Sequence, residues 1–165
     1  MNIRILILVL FLFVLNVHAQ EKYQTIDGSS LKIEGLSFEL RREVILKKFE
    51  KPLRIFEPKY ECGFLSEAEQ GNKYYSIEYK YFKFTGNSKA EYILEEIHFV
   101  PAMPHTITFR NKLISYKTTK KEFETIFGVK IDGDRILLHQ MGKDDAFIFA
   151  FVNGRLSKLG YWSPC

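Results

Sequence analysis

The chain has 165 residues, is 46% hydrophobic and 15% aromatic, and carries a formal net charge of +4 at pH 7. This composition favours a folded domain over a disordered chain, because many residues are aromatic and only 5 are proline. The positive charge is slight and interspersed with acidic residues, so it gives no reason to expect a nucleic acid partner.

Residues 1–19 have the pattern of a secretory signal peptide. A short basic start precedes an unbroken apolar run over residues 5–15, and small residues end at Ala19. The run is shorter than the roughly 20 residues of a membrane-crossing helix. We therefore expect cleavage after Ala19, a periplasmic or secreted protein with no membrane span after cleavage, and a single domain over residues 20–165.

Two stretches of the chain resemble each other, and each predicts a short strand that runs into a short helix. Residues 36–49 align without gaps on residues 114–127, with an identical serine near the start and an identical phenylalanine at the end. Apolar side chains recur at helical spacing in both stretches. Thr119-x-x-Glu122 is a capping box, and Gly128 can end the second helix.

A strand-rich segment is expected after the first helix. Residues 73–84 predict one strand in which three tyrosines and Ile77 point one way, before Phe82 and Phe84 reverse the phase at a bulge or twist. A turn at Gly86-Asn87 then leads to a strand within residues 91–100.

Three further strands are expected after the second helix, over residues 135–140, 146–152 and 155–162. Asn153-Gly154 is a strong two-residue hairpin signal between the last two. The whole pattern predicts an α+β protein of two related halves, approximately residues 30–100 and 106–165. Each half would pack a short helix on antiparallel strands, and the halves would share one curved sheet with both helices on one face.

The helical stretches also resemble a known family. Residues 42–49 with Pro52, and residues 120–128, are similar to the small unit of outer-membrane assembly lipoproteins of the SmpA/OmlA type, although Glu50 stands where that family usually has glycine. Two such units in tandem look like the beta-lactamase inhibitor proteins. The resemblance implies this architecture over about residues 30–165 and a non-catalytic protein that binds another protein. Small exported immunity proteins resemble this chain only in their size and in their location outside the cytoplasm.

Cys62 and Cys165 are the two cysteines of the chain. In an oxidising compartment an isolated pair is more often bridged than free, so we expect a Cys62–Cys165 disulfide, with two free thiols as the alternative. A closed loop of about 100 residues corresponds to roughly 4–5 kcal/mol in the chain-entropy account. Neither cysteine lies in a C-x-x-C motif, which argues against a catalytic thiol.

Tyr75, Tyr79 and Tyr81 are the binding candidates. Tyrosine gives a large contact area at low entropic cost and is enriched in binding hot spots. The alternative is that this row is the core face beneath the helices. Trp162 is expected to be a core anchor.

Signs of catalysis are weak. The chain has no G-x-S-x-G, H-E-x-x-H, Walker or G-x-G-x-x-G motif, and we expect no cofactor, no metal and no catalytic residue. Glu96 and His98 project from one strand face and could share a proton or a metal, but an exposed face of mixed charge is the simpler expectation. His139 precedes an Asp-rich turn, which turn chemistry alone explains.

These observations favour an exported, non-enzymatic protein-binding module of the inhibitor, immunity or envelope-assembly type. Its partner would be another protein in the periplasm or outside the cell. The first alternative is a small-molecule or lipid binder, because a curved sheet with helices can enclose an apolar pocket. The second is a small hydrolase that uses His98 or His139 with nearby carboxylates.

Overall fold

The computed structural model describes residues 24–58, 73–87, 89 and 91–164. The predicted signal peptide lies outside this range. Two α-helices occur in the described residues, α1 (Arg42–Lys48) and α2 (Lys120–Phe127), with a short 3-10 turn at Gly28–Ser30. The first eight strands in the described residues are β1 (Thr25–Ile26), β2 (Leu31–Ile33), β3 (Leu36–Ser37), β4 (Glu39–Leu40), β5 (Arg54–Phe56), β6 (Tyr74–Glu78), β7 (Phe82–Asn87) and β8 (Tyr92–His98). The next five are β9 (Ile107–Phe109), β10 (Lys112–Ile114), β11 (Arg135–Gln140), β12 (Ala146–Val152) and β13 (Arg155–Trp162). The protein is therefore a mixed, strand-rich α/β structure.

A long sheet dominates the described residues. Its strands follow the order β1-β11-β12-β13-β8-β7-β6-β5, and β4 pairs with β8. All of these pairs are antiparallel except β1 with β11. The sheet does not close on itself, because β1 and β5 lie at opposite ends. Its centre is the β8–β13 pair, where Ile97 lies opposite Leu159.

A second, four-stranded sheet has the order β10-β9-β2-β3. It consists of two hairpins, each with two turn residues at positive φ: Glu34 and Gly35 in the first, Arg110 and Asn111 in the second. The hairpins join through the antiparallel β2–β9 pair, where Lys32 lies opposite Thr108. The expectation of one shared sheet is therefore incomplete.

Both helices pack on the same face of the long sheet. Phe49 at the end of α1 contacts Phe82 and Phe84 of β7, with ring centroids 5.1 and 5.7 Å away. On α2, Phe123 lies 4.7 Å from Phe149 of β12. The strand register places these sheet residues on one face, because Phe82 lies opposite Ile97, Ile97 opposite Leu159, and Leu159 opposite Phe149. We call this the inner face, and the opposite one the outer face.

The two helices differ in how they begin. Thr119 caps α2 and forms the predicted capping box with Glu122, and Gly128 ends the helix in the left-handed region at φ 71°. Both predictions are confirmed. The N-cap residue of α1 is Arg41, whose side chain makes no capping hydrogen bond. Helix α1 is therefore maintained mainly by its packing on the sheet, as is common for short helices.

The predicted bounds of β11, β12 and β13 are confirmed, as is the hairpin between the last two. Asn153 and Gly154 take φ values of 50° and 71°, which suit a tight hairpin turn.

The single strand predicted over residues 73–84 is wrong, because this segment folds back as the β6–β7 hairpin. The Tyr79 N–H donates to the Phe82 carbonyl across the turn. The turn contains no glycine or proline, so its residue types give no sequence signal of a turn. Gly86 and Asn87, expected in a turn, belong to β7. A Cβ on Gly86 would lie 2.6 Å from the Tyr92 Cα, so β8 requires glycine here for its close approach.

Candidate functional site

The three tyrosines predicted as a binding row do not share one strand face. Tyr75 lies on β6, whereas Tyr79 and Tyr81 lie at the hairpin turn. Tyr79 is buried and stacks on Phe82 with ring centroids 4.7 Å apart. Tyr75 and Tyr81 are half-buried against the same core. The ring of Tyr79 is therefore inside the protein.

Burial also dominates the chemistry of Tyr79. Its hydroxyl has no hydrogen-bond partner among the described residues. Desolvation raises the pKa of this phenol to about 12. The hydroxyl therefore stays protonated at neutral pH. Cys62 and Cys165, which were predicted to form a disulfide, lie outside the described residues.

Glu96, His98 and Lys158 form a charged cluster on the outer face. The His98 Nε2 lies 2.5 Å from one Glu96 oxygen, and the Lys158 ammonium donates to the other at 2.7 Å. Desolvation raises the pKa of Glu96, but hydrogen bonds from Lys158 and His98 outweigh it and hold the pKa below its usual range. The pairing of Glu96 with two basic groups on one sheet surface fits an exposed face of mixed charge.

His139 packs against Trp162, and Asp145 of the Asp-rich turn bonds to residues at the end of the chain's last strand. The His139 ring packs edge-on against Trp162, with centroids 6.4 Å apart. The Asp145 carboxylate accepts a hydrogen bond from the Ser163 hydroxyl at 2.8 Å and another from Tyr161. Burial and this bond to Asp145 raise the pKa of Tyr161. Asp145 therefore anchors the end of β13.

An apolar strip runs across the outer face over β11, β12 and β13. Leu137 lies opposite Ile148, and Ile148 opposite Gly160, so these three residues form one row. Trp162 lies on the same face, one step along β13. Leu137 and Trp162 are each 39% exposed. The apolar strip is defined as Leu137, Ile148, Gly160 and Trp162.

Gly160 forms a shallow notch in the apolar strip. A Cβ at this position would meet no atom within 4 Å, so the space above it is open. The next residue in the row is Glu96, which holds the charged cluster. A partner side chain could therefore enter the notch between an isoleucine and an ion-paired carboxylate.

The strip lies within a polar surround. Arg135 is exposed beside it and forms no ion pair with another described residue. Further across the same face, on β6 and β7, Ser76 and Thr85 are fully buried. Their hydroxyl oxygens lie 2.8 Å apart. Arg135 on β11 and Glu96 on β8 therefore border the apolar strip on the outer face.

The apolar strip was not predicted from the sequence, and the prediction that Trp162 is a core anchor is wrong, because this residue is 39% exposed. The register opposite Ala146 turns Trp162 to the outer face, and this depends on how β13 pairs with β12. A signal was present in β11: Leu137 alternates with the buried Ile136 and Leu138 and so had to face the other way.

The described part of the chain contains neither a candidate metal site nor a candidate membrane-spanning helix. No group of three or more His, Cys, Asp or Glu side chains there could hold a metal ion. No helix there is long and apolar enough to cross a membrane. No family model, curated protein or solved structure matches the chain.

Proposed function

We propose that this is an exported, non-enzymatic protein that binds another protein through the apolar strip on the outer face of its long sheet. One observation carries the proposal: Leu137, Ile148 and Gly160 form one row across three hydrogen-bonded strands with Trp162 on the same face, and Leu137 and Trp162 are each 39% exposed. Apolar patches with a polar surround are typical of interaction sites. Tryptophan is enriched among the residues that contribute most to binding.

The strip is a pre-formed surface. The β12–β13 pair keeps one register from Ala146 opposite Trp162 to Ala150 opposite Lys158, so the backbone under the strip is held by a continuous ladder. Binding to such a surface orders few groups, and the entropic cost is low. This property suits an inhibitor or immunity protein, which acts by covering a surface of its target.

The chemistry of the strip defines the kind of partner. A folded protein with a flat apolar patch would cover Leu137 and Trp162, and one protruding apolar side chain would enter the notch at Gly160. A carboxylate at the rim of the partner would meet Arg135. We propose that this partner lies in the periplasm or outside the cell, in accordance with the predicted signal peptide.

We further propose that the chain consists of two related halves, as in tandem units of the SmpA/OmlA type. Each half contains a hairpin, a helix and an antiparallel meander in the same order. The halves meet in antiparallel pairs in both sheets, β2 with β9 and β8 with β13. Such pairings accord with an approximate two-fold relation, and the likeness to tandem beta-lactamase inhibitor proteins supports an inhibitory role.

The test compares variants of the mature, oxidised protein as bait for envelope and culture-medium proteins. Gly160→Leu fills the notch with little strain, because the space above Gly160 is open. The matched control is Leu53→Glu, at a residue that is 69% exposed and lies beside β5, at the opposite end of the sheet. Each variant must give the wild-type circular dichroism spectrum.

We expect one stoichiometric protein partner that Leu53→Glu retains and Gly160→Leu loses. Retention of that partner by Gly160→Leu would refute the strip as the binding surface. A small molecule that co-purifies in place of any protein would favour the ligand-binding alternative. His98→Ala should leave binding intact, and complete loss of function in that variant would favour acid–base or metal chemistry instead.

A further inference from the structure

A groove of about 470 Å³ lies between strand β10 and helix α2. Leu113 of β10 forms one wall, Thr125 and Ile126 of α2 form the other, and the connecting residues 115–119 close one end. Its volume is within the roughly 300–1,000 Å³ that is usual for ligand clefts. Helix α2 packs on the inner face of the long sheet, whereas the apolar strip lies on the outer face, so the groove and the strip lie on opposite sides of this sheet.

Strand β10 is an edge strand with an open side. It pairs only with β9 in the described part of the chain, and the two-residue turn makes Phe109 and Lys112 the closing pair of the hairpin. The following pair, Leu113 opposite Thr108, is then of the non-hydrogen-bonded kind. The N–H and C=O of Leu113 therefore point away from β9, and Leu113 is 61% exposed.

The closed end of the groove is firmly held. The Ser115 N–H donates to the Thr118 hydroxyl at 2.9 Å. The Leu156 N–H donates to the Thr118 carbonyl at 2.9 Å, and the Lys120 N–H donates to the Gly154 carbonyl at 3.0 Å. These bonds fix the connecting segment to β13 of the long sheet. The spacing between β10 and α2 is therefore set before any ligand arrives.

The charge around the groove is predominantly positive. Lys117 and Lys121 line it, Lys112 lies on the edge strand, and none of the three forms an ion pair with another described residue. The acidic residue of the lining, Glu122, already accepts hydrogen bonds from the N–H and hydroxyl of Thr119. The groove therefore presents the ammonium groups of Lys117 and Lys121 and the single carboxylate of Glu122 beside apolar walls.

We infer that this groove binds an extended acidic segment of another protein by strand addition to β10. The segment would exchange backbone hydrogen bonds with the free N–H and C=O of Leu113, which is the general mode of peptide recognition at an exposed sheet edge. Apolar side chains would contact Leu113 and Ile126, and carboxylates would meet Lys117 and Lys121. Nothing in this proposal depends on the apolar strip.

The probe is a synthetic Glu-Val-Glu-Val-Glu-Val peptide, titrated into the ¹⁵N-labelled mature, oxidised protein and followed by amide chemical shifts. We expect saturable shifts at Leu113 and along the groove side of α2, and none at Leu137 or Ile148. The affinity should fall as salt increases, because the charges involved are exposed. Shifts confined to the apolar strip, or no saturable shift at low salt, would overturn the proposal.

Two controls separate strand addition from simple charge attraction. Two versions of the peptide, N-methylated at every second residue in either phase, keep the charges but lack half of the backbone donors. At least one version should lose binding, and equal binding of all three peptides would refute strand addition. Lys121→Glu should weaken binding by about fivefold or more, whereas Lys47→Glu on α1 should have little effect. Equal effects of these two charge reversals would refute the groove as the site.

Discussion

Phe127 stacks on Phe109, with ring centroids 4.2 Å apart and planes only 7° from parallel. This contact joins α2 to the second sheet, and Phe127 also touches Phe149 of the long sheet at 5.1 Å. One side chain therefore connects a helix and both sheets. At the end of α1, Phe49 contacts β7 and also the His105 ring at 5.6 Å.

Replacing either Phe49 or Phe127 by alanine should destabilise the folded protein. Phe49 and Phe127 are each 6% exposed, and Phe→Ala at buried positions typically costs about 3–5 kcal/mol. We expect Phe49→Ala and Phe127→Ala each to lower the free energy of unfolding by about that amount in urea titrations. Leu46→Ala on α1 is the control, because Leu46 is 40% exposed. An unchanged unfolding midpoint in either phenylalanine variant would contradict the packing of its helix.

Helix α2 has a capping box and α1 has no side-chain cap, so substitutions at their N-cap residues should change the free energy of unfolding in opposite directions. Thr119→Ala removes the capping box of α2 and should lower the free energy of unfolding by about 1 kcal/mol. Arg41→Asp should raise it by about 0.5–1 kcal/mol, because an aspartate can accept the free N–H groups that Arg41 leaves uncapped. Thr125→Ala within α2 is the control for Thr119→Ala. Urea titration measures all three, and destabilisation by Arg41→Asp would show that Arg41 has another role.

Two strand glycines should respond differently to a methyl group. A Cβ on Gly86 would lie 2.6 Å from both the Glu91 carbonyl oxygen and the Tyr92 Cα, whereas one on Gly160 would meet nothing within 4 Å. Gly86→Ala should therefore lower the free energy of unfolding by about 1–3 kcal/mol or more. Gly160→Ala should be neutral or slightly stabilising. Thermal unfolding of both variants checks this, and equal melting temperatures would contradict the close approach of β7 and β8.

The charged cluster around Glu96 predicts a dependence of stability on pH. Desolvation opposes the charged form of Glu96, yet hydrogen bonds from Lys158 and His98 lower its pKa overall. A lowered carboxyl pKa stabilises the folded protein above the unfolded pKa, and this contribution is lost as the pH falls through the folded pKa. Glu96→Gln should therefore be less stable than wild type at neutral pH, and the difference should shrink in acid.

The comparison variant for this pH series is Glu91→Gln, at an exposed position just before β8. This variant removes one carboxylate from an exposed position and so measures the effect of losing a surface charge alone. A constant difference between Glu96→Gln and wild type from neutral to acid pH would show that the ionisation of Glu96 does not contribute to folding.

The two cysteines remain a prediction. Thiol titration of the oxidised, denatured protein should find no free thiol if Cys62 and Cys165 are bridged. Reduction should then lower the unfolding midpoint, because the bridge restricts the unfolded chain. Two reactive thiols before reduction would exclude the disulfide.

Local signals accounted for much of the second half of the fold. The capping box at Thr119 and the turn at Asn153-Gly154 act over a few residues, so they can be identified from sequence alone. The second sheet could not be identified in this way. Its strands contain two or three residues each, too few for a period to emerge, and their pairing of β2 with β9 joins distant parts of the chain.

The candidate site was missed for a related reason. Tyr75, Tyr79 and Tyr81 are spaced by multiples of two residues, as on one strand face. The chain nevertheless turns into the β6–β7 hairpin within this spaced segment, so the spacing does not reflect a single strand. The apolar strip depends on the pairing of β11, β12 and β13, which decides that Ile148 and Trp162 lie on one face. Alternation assigns residues to two faces of a strand, and only the partner strands decide which face remains exposed.

The segment between β8 and β9, which contains Pro101 and Pro104, separates the two partners of each central strand pair. The β2–β9 and β8–β13 pairs both join the chain before this segment to the chain after it. If this segment were extended, two copies of the chain could form the same pairs with each other. Each core would keep its contacts, and only the connectivity would change. The chain therefore has a built-in route to domain-swapped dimers, favoured when it refolds at high concentration.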